Sequence, residues 1–352
     1  MRYLSTGEEG RNAGASLKGY HKYILSGLLT LLFLYLAFRG TDVRRLVQAL
    51  GETNYWWVPI MVSLILLSNL FRAWRWRFLV DPIKAQLSLE ALFSAVMVGY
   101  LVNNIVPRAG ELVRPVLLAK QEALSTSAVI GTVVMERVLD MASLLVIVMA
   151  LPLVYDGPLR ESFPWLSQTA QITAVLLCFF IVVVAVFMMR REVPARLVSM
   201  LTKLLPSKIS NRLGQIVDSF LDGFLFVTRP RAFAGILLST ILLWLAYVLM
   251  HYAAIHAFHL DRTLGMRAAF VVLAISSIGV VLPTPGATGT YHFFAMQTLL
   301  RLYNVSSDTA LSYATLTHAV TFFTVTILGG YYLVRDRIGI EQIFSLQRRH
   351  HP

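Results

Sequence analysis

Apolar stretches separated by short polar connections fill the chain from about residue 24 to residue 334. Six of them, at 22–38, 54–71, 128–152, 169–189, 232–258 and 309–334, reach about the 20 apolar residues that a helix needs to cross the hydrocarbon core. Each is read as a helix, because lipid offers no partner to an unpaired backbone group. Two further stretches, 88–106 and 263–282, are apolar but stop at Pro107-Arg108-Ala109-Gly110 and at Pro283-Thr284-Pro285-Gly286-Ala287-Thr288-Gly289. Proline and glycine break a helix, so both are expected to be re-entrant hairpins. The predicted fold class is all-α: a polytopic integral membrane protein with six full spans and two broken-helix hairpins.

The distribution of basic residues supports this count. With the hairpins leaving on the side they entered and the N-terminus cytoplasmic, the inner segments 1–22, 72–90, 190–231 and 335–352 hold 20 Lys and Arg, against 6 in 39–53, 153–168 and 259–267. That is a strong positive-inside bias, and counting 88–106 as a full span would move the basic segment 190–231 outside. Aligned on their prolines, 107–110 and 283–286, the hairpins share a pattern: a first half-helix, Pro-x-x-Gly, a second short helix and a full span. Three spans separate them, so the second enters from the opposite face, which makes an inverted repeat of about 88–152 and 263–334, as in many transporters. The alternative is that the prolines only kink packed helices.

Composition agrees: 57% of residues are hydrophobic and 14% charged, far from the balance of a soluble domain. One membrane domain over 21–335 is expected between an N-terminal tail, 1–20, and a C-terminal tail, 336–352, both cytoplasmic. The net charge of +12 sits at the ends of apolar runs, where anionic lipid acts, so nucleic acid is not an expected partner. Cys178, the single cysteine, excludes a disulfide framework. No cleavable signal is read before the first run. Segment 191–231 carries Leu197, Met200, Leu201, Leu204 and Leu205 at helical spacing between Arg196, Lys203 and Lys208, the pattern of an amphipathic helix lying on an anionic leaflet.

Charge within a span is the strongest functional signal. Glu136, Arg137 and Asp140 lie in the middle of 128–152, where each charge costs about 2.5–3.5 kcal/mol on insertion scales and so requires a protein or water partner. Arg137 can bridge the two carboxylates; the alternative to a binding role is a structural ion pair. In the first break, Asn103, Asn104, Arg108, Glu111 and Arg114 gather amides, two guanidinium groups and a carboxylate, suited to a phosphate-bearing headgroup or, alternatively, to satisfying the turn itself. The second break is neutral: Pro283, Thr284, Pro285, Gly286, Gly289, Tyr291 and His292 form an expected gate, and His318 in the last span is a candidate proton relay or a satisfied packing residue. Phe71-Arg72-Ala73-Trp74-Arg75-Trp76-Arg77-Phe78 reads as an interface anchor closing the second span. His251 and His256 are five apart, the wrong spacing for a shared metal. No hydrolase, metal or nucleotide motif is read, so neither enzyme chemistry nor a cofactor is expected.

Three motifs in order, Asn103-Asn104-Ile105-Val106-Pro107-Arg108-Ala109-Gly110-Glu111-Leu112-Val113-Arg114, Glu136-Arg137-Val138-Leu139-Asp140 and Leu282-Pro283-Thr284-Pro285-Gly286-Ala287-Thr288-Gly289, closely resemble the flippase-like transmembrane family, named for the membrane half of lysylphosphatidylglycerol synthase/flippase. The resemblance covers about residues 20–335. It implies a prokaryotic plasma-membrane protein that translocates a lipid or lipid-linked molecule, with membrane lipids of anionic or phosphate-bearing headgroup as partners. The aminoacyltransferase domain of the bifunctional protein has no counterpart within these residues, so lysyl transfer is not expected. Ala287 and Thr288 stand where the family often has more glycine, and Thr290-Tyr291-His292 where it often has an acidic residue that an amino-lipid would want. Two other functions fit the same elements: an ion- or proton-coupled transporter using Glu136, Asp140 and His318, and a non-transporting partner of a lipid-modifying enzyme.

Overall fold

The computed structural model describes residues 24–190, 207–224 and 230–338, with Val193, Arg196 and Met200 between the first two stretches. All of its regular structure is helical. The N-terminal tail, most of the C-terminal tail and, Met200 apart, the 197–205 stripe lie outside the described residues.

A short helix α1 (Ile24–Phe38) turns by 82° into α2 (Val43–Gly51), so the first apolar run is one arm of a bent pair. Asp42 caps α2 by accepting from the Arg44 amide, and Leu46 docks onto the last helix, where the Ser312 hydroxyl donates to its carbonyl at 3.1 Å. α3 (Trp57–Val80) follows, then α4 (Leu89–Ile105), α5 (Gly110–Gln121), α6 (Thr126–Val154), α7 (Trp165–Met189), α8 (Ser207–Asp222), α9 (Pro230–Ala257), α10 (Met266–Val281), α11 (Thr290–Tyr303) and α12 (Ser307–Arg335). Among the described residues, α3, α6, α7, α9 and α12 are each long and apolar enough to cross a membrane, and the bent pair makes a sixth candidate. α7 exposes Ile172, Val175, Leu176, Phe179 and Val182, as a helix facing lipid does. α8 ends against α6, where a Cβ on Gly131 would stand 2.3 Å from the Phe220 carbonyl oxygen.

The two broken segments are paired half-helices. At about 1.5 Å per residue, α4 and α10 are only about 25 Å long and α5 and α11 about 20 Å, too short to span a core of about 30 Å. Within each pair the helices cross at a small residue. A Cβ on Gly110 would fall 1.8 Å from the Gly99 carbonyl oxygen, and one on Gly279 would fall 2.8 Å from that of Thr290. Both contacts join residues eleven apart, at the first residue of the second half-helix, and α6 and α12, which follow, are each 29 residues long. By these crossings Gly110 corresponds to Thr290, rather than Pro107 to Pro283. The proline alignment fails by four residues because the second break, 282–289, is four residues longer than the first, 106–109, and holds an extra turn at Pro285–Ala287.

The units also pack reciprocally: α4 lies along α12 and α10 lies along α6. Gly329 of α12 fits close to the Met97 carbonyl oxygen, leaving 2.6 Å for a Cβ. α3 and α9 pack along their length beside this core, with Gly235 under the Phe78 ring.

Candidate functional site

Charges that no membrane helix could carry alone meet where α3, α5 and α6 converge. Arg72 Nη1 donates to Glu136 Oε1 and to Asp140 Oδ2, both at 2.8 Å. Arg75 Nη2 donates to Asp140 Oδ1 at 2.5 Å. Arg114, reaching back from α5, donates to Glu136 Oε2 at 2.9 Å and stacks over Trp76, its guanidinium carbon 4.4 Å from the ring centre. Arg137 bridges the carboxylates, 2.9 Å from Glu136 and 3.4 Å from Asp140, and lies 3.9 Å from Glu111. Glu136 and Arg75 are fully buried. The spacing explains the convergence: Glu136 and Asp140 lie one turn apart on one face of α6, and Arg72 and Arg75 three apart on the facing side of α3.

Arg72 and Arg75 are buried, not placed as an interface anchor. The Arg-Trp run does not end α3 at the interface; the helix continues to Val80, and Arg72, Arg75 and Trp76 are buried within the bundle. Trp76 spends its indole N–H on the Thr132 hydroxyl at 2.9 Å. An Arg-rich helix end and an Arg pair facing distant carboxylates look alike locally, and two carboxylates, Glu136 and Asp140, against one Arg137 in their own span are the signal in the sequence that further partners are needed.

The breaks hold the rest of the predicted residues. A small cavity of about 20 Å³, room for about one water molecule, opens beside the cluster and is lined in part by Tyr100, Asn103, Glu111, Arg114 and Arg137. Asn103 accepts from the Gly110 amide at 2.7 Å and so starts α5. Arg108 does not reach the cavity. It has left-handed backbone, φ 60°, and its exposed guanidinium donates to the Val281 carbonyl at the end of α10. Asn104 also faces the other unit, donating to Thr326 at 2.8 Å beside Gly286. The breaks thus touch one another through Asn104 and Arg108.

The second break is neutral and tightly tied. Ser26 of α1 donates to the Pro283 carbonyl at 2.9 Å, Thr284 and Thr290 share a 3.0 Å hydroxyl contact, and His318 lies 2.8 Å from the Gly286 carbonyl. The His292 ring lies 4.5 Å from that of His318, tilted by 51°, and its Nδ1 accepts from the Gly289 amide at 3.4 Å. Tyr291 donates to Thr317 at 2.8 Å. Gly286 and Gly289 both have positive φ, and a Cβ on Gly289 would meet the Thr30 carbonyl at 2.8 Å, so only glycine fits there. Pro285 starts the extra turn.

Comparison with known proteins gives the same assignment. The chain is 24% identical over 343 residues to the UPF0104 membrane protein PH1989 of Pyrococcus horikoshii, covering 91% of this chain and 98% of that protein. It is 23% identical over 325 residues to the UPF0104 membrane protein MJ1595 of Methanocaldococcus jannaschii, covering 86% and 92%. No solved structure matches. The family described as the lysylphosphatidylglycerol synthase TM region matches residues 23–329, both breaks and the charge cluster included, and the chain belongs to that family.

Proposed function

We propose that this protein translocates a phospholipid or lipid-linked headgroup across a prokaryotic plasma membrane, by transport and without covalent chemistry. The observation that carries the reading is the arginine–carboxylate cluster buried beside a cavity in a broken helix whose break touches its counterpart in the second unit. A headgroup is too large for the present cavity, so its passage requires the half-helices to part while its acyl chains stay in lipid. The three spans α6, α7 and α9 turn the second unit over relative to the first, with both termini cytoplasmic, and opposed units of this kind open to alternate faces. The family's membrane-lipid association supports the same reading.

The test is movement of a fluorescent phospholipid between leaflets of vesicles carrying the purified chain. Arg137→Gln is expected to lower the rate at least about tenfold, the effect of losing one charge-assisted contact, while leaving insertion unchanged. Unchanged flipping by Arg137→Gln and by Arg114→Lys removes the proposal. Absence of movement by the wild-type chain, together with co-purification of a lipid-modifying enzyme, would favour a non-transporting role. The adjacent imidazoles of His292 and His318, 4.5 Å apart, favour one addition, coupling to protons: His318→Gln is expected to abolish any dependence of flipping on a pH gradient, and a dependence that survives the change excludes it.

A further inference from the structure

The charge cluster does not balance. Arg72, Arg75, Arg114 and Arg137 face Glu111, Glu136 and Asp140, so it carries a surplus of one positive charge. Donors exceed acceptors as well: the Nε–H groups of all four arginines are buried with no hydrogen-bond partner among the described residues. Guanidinium groups left this way inside a bundle are costly, by desolvation and by mutual repulsion. Two of the four, Arg114 and Arg137, line the cavity.

Glu111 is unlike the other carboxylates. Glu136 and Asp140 are held by arginines at 2.5–2.9 Å, whereas Glu111 stands 3.9 Å from Arg137 with 30% of its side chain exposed. It lines the same cavity as Arg114 and Arg137, and it and Arg137 are the partly exposed charges there. We propose that this cavity, widened as the half-helices part, takes the phosphodiester of a monoanionic lipid between Arg114 and Arg137, and that Glu111 sets the charge it accepts. This deepens the headgroup reading above and rests on it. One negative charge cancels the surplus; a phosphomonoester with two overshoots and is repelled by Glu111, and a zwitterion leaves the surplus in place. Replacing Glu111 by a neutral residue raises the surplus to two and matches it to a dianion.

Equilibrium binding of short-chain lipids to the purified full chain in neutral detergent tests this without any transport step, so a failure to flip and a failure to bind are read separately. The probes are dihexanoyl phosphatidylmethanol, a bare phosphodiester monoanion; dihexanoyl phosphatidic acid at pH 8; dihexanoyl phosphatidylcholine; and inorganic phosphate. The wild-type chain is expected to bind phosphatidylmethanol about tenfold tighter than any other probe. Glu111→Gln is expected to raise phosphatidic acid affinity about tenfold, Glu111→Asp to keep the wild-type order, and Arg137→Gln to weaken every anionic probe about tenfold, with helical content unchanged by circular dichroism. Phosphatidylcholine bound as tightly as phosphatidylmethanol overturns the proposal, as does a phosphatidic acid affinity unmoved in Glu111→Gln. Inorganic phosphate bound as tightly as the lipids would instead make the ligand a soluble anion.

Discussion

At the scale of the residue, the site is a balance between charges that stabilise one another only together. Glu136 accepts from Arg72, Arg114 and Arg137 and is fully buried, so removing its charge takes a partner from three guanidinium groups at once and leaves Arg114 without a carboxylate, while Arg72 and Arg137 keep Asp140. Glu136→Gln is expected to cost about 3–5 kcal/mol, the range for breaking a buried pair, seen as a large drop in the unfolding midpoint in detergent. Glu111→Gln, at the exposed rim, is expected to change that midpoint by less than about 1 kcal/mol equivalent. An equal loss in both variants would show that the cluster is not organised around Glu136. The sequence made half of this legible. Glu136, Arg137 and Asp140 stand out because charge inside an apolar run demands an explanation, and Glu111 and Arg114 because they follow a break. Arg72 and Arg75 did not stand out, since arginine beside tryptophan at the end of an apolar run is also what an interface anchor looks like. The difference lies in partners 64 and 68 residues away, which no local pattern contains. Arg108 departs from expectation for the opposite reason: its place in a polar motif suggests a shared cavity, but its backbone is left-handed and its guanidinium donates to the Val281 carbonyl.

At the scale of the element, the breaks depend on small residues at the helix crossings. Gly110→Ala would place a methyl against the Gly99 backbone, which cannot rotate away as a side chain can, so α4 and α5 must separate. The expected cost is about 1–3 kcal/mol, with a parallel loss of flipping. Gly330 has open space around its Cβ position, and Gly330→Ala in α12 is expected to be neutral or to stabilise by up to about 1 kcal/mol. Melting midpoints that fall equally for the two would mean that the crossing is not close. The existence of the half-helices was legible, because length and Pro-Gly punctuation both bear on it. Their registration was not, because matching prolines cannot show that one break has an added turn; the glycine-to-backbone crossings carry the true correspondence.

At the scale of the whole molecule, the proposed topology places each half-helix pair on one face of the membrane. With Cys178 replaced by alanine, single cysteines at Ala85 and Gln121 are expected to react with an impermeant maleimide from one side only, and cysteines at Arg262 and Asn304 from the other. Labelling of Ala85 and Gln121 from opposite sides would turn the first hairpin into a full crossing. The pairing of Arg72 and Arg75 with Glu136 and Asp140 also bears on how the chain is made. The arginines leave the ribosome at least 60 residues before their carboxylates. At about 5–20 residues per second that is an interval of roughly 3–13 s, during which α3 carries two unneutralised guanidinium groups. Each costs about 2.5–3.5 kcal/mol at a helix centre in the membrane, so the nascent α3 is expected to hold its arginine end nearer the headgroups until α6 arrives. A later helix would then complete the insertion of an earlier one, and equal depth of α3 in the full chain and in a chain truncated before α6 would exclude it.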